Sequence, residues 1–192
     1  MEEKFYKDGL RFSCRRCSFC CTGFPGVVLL SEDDLRRLAD WAGLSDEQFT
    51  LAYCRWIQDD QGKEYLSLRE KSNYECIFWK DGCEAYEARP VQCRTYPFWT
   101  NVMESLESWS KECGDCPGMN QGDLHTADEI EEELFKYMSR VPLQREPGKQ
   151  EPGAGPFCGK NYFSTTVRAS LNPRAPFLEL AKSLLRRVLE HT

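Results

Sequence analysis

Apolar residues recur along the chain at two periods, and these divide it into short helices and strands. Val27 to Leu30 is a brief apolar run that reads as a strand. Ser31 stands where a helix cap belongs, with Leu30 before it and Leu35 after it placed to form a hydrophobic staple. Leu35, Leu38, Ala39 and Ala42 share one helical face, and Gly43 is a natural stop. Ser45 repeats the device, with Gln48 in the capping-box position and a Leu44–Phe49 staple. Phe49, Ala52, Tyr53 and Trp56 make the apolar face of this second helix, which carries Cys54 beside it. Lys63 to Arg69 alternates instead, predicting a strand with Leu66 and Leu68 on one side.

Beyond residue 70 the punctuation is denser. Asp81-Gly82 lies between Cys76-Ile77-Phe78-Trp79 and Cys83-Glu84-Ala85-Tyr86 and predicts a tight hairpin turn. In an ideal hairpin Lys80 faces Cys83, which leaves Cys76 roughly 13 Å away along the strand. Arg89-Pro90 opens a short helix that Pro97 ends. Thr126 with Glu129 is another capping box, starting a helix to about Arg140 with Ile130, Leu134, Phe135 and Met138 facing inward. The Glu-Pro-Gly triplet at 146–148 recurs at 151–153, and Gly155-Pro156 follows, so residues 143–157 read as a linker or loop. The last segment, 158–192, holds an amphipathic stretch from Pro176 to about Glu190. Phe177, Leu178, Ala181, Leu184, Leu185 and Val188 are placed to pack, and Lys182, Arg186 and Arg187 to face water. The expectation is a helix docked on a domain spanning 1–142.

Composition narrows the function. A chain that is 41% hydrophobic and 29% charged is an ordinary globular one, and no apolar run approaches membrane-spanning length. A net charge of −6 repels phosphate backbones, so neither nucleic acid nor a membrane is expected as a partner. The start, Met1 to Asp8, lacks the apolar core of a signal peptide, so the expected location is cytoplasmic. That changes the meaning of the 11 cysteines: in a reducing compartment, dense thiols bind metal rather than pair as disulfides.

Cys14-Arg15-Arg16-Cys17-Ser18-Phe19-Cys20-Cys21 is the strongest signal. Thiols at two-residue gaps wrap a tight loop around one point, as iron–sulfur clusters require. Structural zinc more often takes two thiols from each of two knuckles, and an isolated Cys-x-x-Cys can be a redox pair. A second group comprises Cys76, Cys83 and Cys93, the last within Arg89-Pro90-Val91-Gln92-Cys93-Arg94-Thr95-Tyr96-Pro97-Phe98. A third is Cys113-Gly114-Asp115-Cys116-Pro117-Gly118. Adjacent residues in an extended chain point to opposite sides, so Cys20 is expected to face one centre with Cys14 and Cys17, while Cys21 turns to the second group. Arg89 and Arg94 flank Cys93 and are candidates to offset thiolate charge. Cys54 and Cys158 read as small buried hydrophobes. His125 and His191, the two histidines, carry no ligand pattern.

These motifs, over roughly residues 10–122, resemble the YkgJ-like cysteine-cluster family of zinc- or iron-chelating domains. The resemblance implies eight metal-associated cysteines: Cys14, Cys17, Cys20, Cys21, Cys76, Cys83, Cys93 and Cys116. Cys113 is an extra thiol beside the last. Related domains are similar to part of flagellin lysine N-methylases, which implies a protein partner or protein substrate as one possibility. The expectation is a small, irregular α+β domain with short strands, one hairpin and peripheral helices, its loops organised by metal. The tight cysteine loop favours iron–sulfur or iron over zinc as cofactor, and with it a redox or protein-modifying role. The alternative is a structural zinc-binding or metal-handling module without catalysis.

Overall fold

Ser31 starts the first helix as its side chain implies. Its hydroxyl accepts from the Asp34 amide, and Asp34 reaches back to the Ser31 amide. The computed structural model, which describes residues 4–22 and 25–146, places α1 at Glu32–Ala42 and closes it on Gly43 in the left-handed region (φ 66°). Ser45 and Gln48 form the same reciprocal cap on α2 (Asp46–Tyr53). That helix stops sooner than its periodicity suggests. Cys54 and Trp56 belong not to α2 but to β2 (Cys54–Gln58), because this stretch pairs antiparallel with β3 (Glu64–Leu68), and ladder bonding overrides helical propensity. Ala52 is exposed as a result. The residues from Val27 run beside β3 through bonds from Leu30 N to Leu66 O (3.0 Å) and Leu68 N to Val28 O (3.0 Å), forming a single bridge at Leu29 rather than a full strand.

The remaining elements are a β1–β4 ribbon (Leu10–Phe12 with Met119–His125), α3 (Val91–Arg94), α4 (Leu106–Cys113), α5 (Ala127–Ser139) and β5 (Gln144–Arg145), which pairs with β3. Thus α+β describes the fold, with helices outside two small antiparallel sheets. β5 lies inside the stretch read as linker, and Leu143 bonds both Leu30 and Leu66 beside it. Helix α5 is capped by Thr126 and Glu129 as its sequence implies, but its inward stripe is Ile130, Leu134 and Tyr137. Phe135 and Met138, expected inside, face outward, because a 3.6-residue period fits either stripe and the packing partners choose between them. The proposed tail helix and Cys158 lie outside the described residues.

Among the described residues, two apolar cores result. The first joins Leu35, Leu38 and Ala39 of α1 to Phe49, Leu66, Leu68 and Phe78. The second gathers Phe98, Trp99, Trp109, Met119, Ile130 and Tyr137. The segment between Ala88 and Tyr96 passes from one to the other and carries α3. Buried polar groups fix α3 there. Asp34 Oδ1 accepts the Val91 amide at 2.9 Å. Gln92 Nε2 donates to Val27 O (2.7 Å), and its Oε1 accepts from Leu29 N (3.1 Å). Trp99 Nε1 donates to Gln92 O (2.8 Å). Among the described residues, no helix is long and apolar enough to cross a membrane.

Candidate metal centre

The amino-terminal cysteines leave β1 through Ser13, which is gripped on two sides. Its amide donates to Gly118 O at 3.2 Å, and its hydroxyl accepts the Asp123 amide at 3.0 Å. A Cβ on Gly118 would sit 2.5 Å from Ser13 O, so only glycine admits this contact. The loop bearing Cys14 is thereby tied to the loop bearing Cys116. Beyond it, Arg16 (φ 52°) and Ser18 (φ 64°) adopt left-handed backbone that tightens the turn, and a short 3₁₀ turn covers Phe19–Cys21.

That turn overturns one expectation. The sulfurs of Cys20 and Cys21 lie side by side at 3.8 Å. Opposed side chains belong to extended backbone, whereas a 3₁₀ turn rotates successive residues by only about 120°. Cys20 therefore accompanies Cys21 towards the second group instead of Cys14 and Cys17. The Cys76 amide donates to Cys21 O at 2.8 Å and fixes the join.

The second group is brought together by bends. Trp79 N donates to Cys76 O (2.9 Å), so the chain turns at Cys76–Trp79, and the straight strand that would separate Cys76 from Cys83 does not form. Asp81 (φ 53°) and Gly82 (φ 143°) make the predicted reversal, with Trp79 rather than Lys80 opposite Cys83. Cys93 joins from α3. The four thiols Cys20, Cys76, Cys83 and Cys93 feel one another's charge. Burial, then the charges of Cys76, Cys20 and Cys83, push the Cys93 thiol well up. Burial raises Cys76 to about 11, with Cys83 and Cys20 adding to it. Burial also raises Cys83. Within the adjacent pair, the hydrogen bond between the sulfurs lowers Cys20 and raises Cys21.

Other groups work against this repulsion. Backbone amides favour the thiolates of three cysteines from two residues ahead: Phe78 for Cys76, Ala85 for Cys83 and Gly118 for Cys116. Arg89 favours the thiolates of Cys20, Cys83 and Cys93. Its guanidinium lies 3.5 Å from the Tyr86 ring centroid, its Nε donates to Tyr86 O (2.7 Å), and Arg16 approaches the same ring at 4.1 Å. Arg94 feels the charges of Arg37, Asp34, Glu133 and Arg89. Arg89 acts where its place beside Cys93 suggested, whereas the amides were invisible to residue spacing, because backbone donors carry no side-chain signature.

A smaller group forms at the second core. Cys116 is buried, its thiol raised chiefly by burial, and it feels the charge of Cys17. The Tyr96 hydroxyl hydrogen-bonds Cys116 and donates to Glu112 Oε1 at 2.8 Å. Cys113 accepts from Asn120 Nδ2 at 3.2 Å. Cys14 is exposed on the loop. Cys54 sits in the first core, raised to about 12 by burial, and none of the clustered thiols acts on it. His125 is structural: Nε2 bonds Phe12 O (3.0 Å) and its ring packs on Phe98.

Among the described residues, no three cysteine, histidine or carboxylate side chains stand close enough to hold one ion. The thiols share a region without closing on a point. Their chemistry nevertheless fits a thiophilic metal. Thiols that raise one another's pKa stay protonated on their own; held together as thiolates they would be costly unless a cation neutralised them, and the amides and the Arg89 guanidinium already favour that form.

Residues 13–117 match a family described as "CxxCxxCC: Putative zinc- or iron-chelating domain". An uncharacterized protein of Methanocaldococcus jannaschii, MJ0661, is 26% identical over 144 residues, covering 71% of each chain. No solved structure matches this chain.

Proposed function

Since the chain belongs to the CxxCxxCC family of zinc- or iron-chelating domains, we propose that it holds its metal through Cys14, Cys17, Cys20, Cys21, Cys76, Cys83, Cys93 and Cys116 as an iron–sulfur or iron centre with a redox or protein-modifying role. The observation that carries this is the mutual approach of Cys20, Cys76, Cys83 and Cys93 beside Arg89, with amides aimed at sulfur. Hydrogen bonds to sulfur and a nearby positive charge are the means by which a protein sets the potential of an iron–thiolate centre. When bound, such a centre supplies a one-electron couple. The chain's own part is to hold the thiolates, to neutralise them through Arg89, and to limit water through Trp79, Tyr86 and Tyr96.

One observation favours the zinc alternative. The thiols form two groups, Cys20–Cys21–Cys76–Cys83–Cys93 and Cys17–Cys116 with Cys113, and structural zinc likewise draws thiols from separate knuckles. Anaerobic purification followed by metal and acid-labile sulfide analysis tests both. Iron with equimolar sulfide and a visible absorbance band supports the first reading. Zinc without either supports the second, and a metal-free protein with an unchanged melting curve overturns both.

A further inference from the structure

The thiol outside the eight-cysteine set, Cys113, is held as firmly as its neighbour Cys116. Helix α4 ends on Cys113, and the chain turns so that the Cys116 amide donates to Glu112 O at 3.0 Å. The two cysteines therefore share one turn, close enough for Cys113 to feel the charge of Cys116. The segment that follows turns N–H groups on both sulfurs. The amides of Gly118 and Met119 favour the Cys116 thiolate, and the Asn120 side-chain amide donates to Cys113 Sγ at 3.2 Å. Asn120 cannot face the other way: its Oδ1 accepts from Trp109 Nε1 at 3.0 Å, and an indole N–H only donates. Trp109 is itself buried, and Asn120 occupies left-handed backbone (φ 57°), which asparagine tolerates.

A donor fixed on a sulfur is of most use when that sulfur carries charge. Burial, Cys116 and Glu112 all hold Cys113 in the thiol form, and the carboxyl end of α4 adds negative potential. One amide does not reverse that, but a bound cation does, and metal-bound ligands are steadied by hydrogen-bond partners of this kind. We propose that Cys113 is a metal ligand, binding with Cys116 as a two-thiolate knuckle and releasing its proton to water as the ion arrives. The spacing is that of structural zinc knuckles, and iron–sulfur centres also draw thiolates at two-residue gaps. Cys17, whose charge Cys116 feels, is the third thiol at this end, on the loop that the bond from Ser13 N to Gly118 O (3.2 Å) ties to the knuckle. Zinc and iron would both be held this way, and the assignment rests on the metal-binding reading above.

The test uses the full wild-type chain, reduced and anaerobic, so that no substitution can disturb the fold. Alkylation of each cysteine by N-ethylmaleimide is followed by mass spectrometry with and without bound Zn2+. Zinc should slow Cys113 about tenfold or more, together with Cys83, Cys93 and Cys116, because a metal-bound sulfur is a poor nucleophile. Protection of those three without Cys113 overturns the inference and leaves the metal reading standing, whereas protection of none overturns both. Cobalt(II) then separates ligation from burial. Cys113→Ser should weaken the sulfur-to-cobalt charge-transfer band of the Co2+-loaded chain, as Cys116→Ser does, and an unchanged band in Cys113→Ser overturns the inference.

Discussion

Replacing Gln92 with alanine should separate the scaffold's part in metal binding from that of the thiols. Gln92 is buried, and its side chain bonds Leu29 N at 3.1 Å, Val27 O at 2.7 Å and Arg140 Nη2 at 3.3 Å. Truncation strands the buried Leu29 amide and the half-buried Val27 carbonyl. A buried group left unpaired costs about 1–3 kcal/mol, so the two together cost about 2–3 kcal/mol once water reaches the more open carbonyl. The next residue is Cys93, whose position on α3 depends on these bonds. Gln92→Ala should therefore lower the urea midpoint of the metal-loaded protein and weaken metal retention against a chelator, although no ligand has been removed. Gln48→Ala is the control. It disturbs an exposed cap, costs on the order of 0.5–1 kcal/mol and should leave retention unchanged. A Gln92→Ala protein that loses under about 1 kcal/mol and keeps its metal as tightly as wild type would refute the reasoning.

Three further outcomes are expected. Cys83→Ser and Cys93→Ser should each lower the bound metal per chain by half or more, while Cys54→Ser keeps the wild-type ratio and costs about 1–3 kcal/mol for a hydroxyl in an apolar core; elemental analysis and denaturation distinguish these, and equal metal loss in all three variants contradicts the division. Cys54 also sets an alkaline limit. Its pKa in the fold, about 12, lies above its ordinary value of 9.0, so the buried thiol's contribution is intact below about pH 9 and is lost as pH rises towards 12, by up to about 4 kcal/mol. Cys54→Val should flatten that slope in melts at pH 8–11, and an unchanged slope rules the account out. Finally, stripping the metal should accelerate hydrogen exchange in residues 13–22 and 70–98 while α1 and α5 stay protected, since their cores pack without it; global loss of protection would instead mean that the metal holds the whole fold.

Local chemistry was legible in the sequence, and long-range pairing was not. The Ser31, Ser45 and Thr126 caps could be read because each is a contact within three residues. The Lys63–Arg69 alternation and the Asp81-Gly82 turn were visible for the same reason. The β1–β4 ribbon was missed: β4 reads Met-Asn-Gln-Gly-Asp-Leu-His, mostly exposed, and becomes a strand only because a segment more than a hundred residues away pairs with it. Helix α4 was also missed, although Ser105 accepting from the Ser108 amide is a cap of the same kind. At the candidate site, the cysteines were found by spacing. Which thiols meet was not, because the 3₁₀ turn at Phe19–Cys21 and the bend at Cys76–Trp79 depend on neighbours distant in sequence.

The placement of the thiols relative to the two cores bears on the order of assembly. Cys76 and Cys83 pack on the rim of the first core, Cys113 and Cys116 belong to the second, and Cys93 lies on the crossing between them. Each core can condense from its own residues at a rate indifferent to metal. If the ion is held as proposed, a ligand set drawn from both rims tightens a join that the Gln92 and Asp34 bonds already begin, so the final step of folding should quicken with free metal while the earlier steps do not. The ion would then act as a timing device: supply in the cell, rather than chain length or core size, would determine how long the half-assembled molecule persists with its thiols open to oxidation.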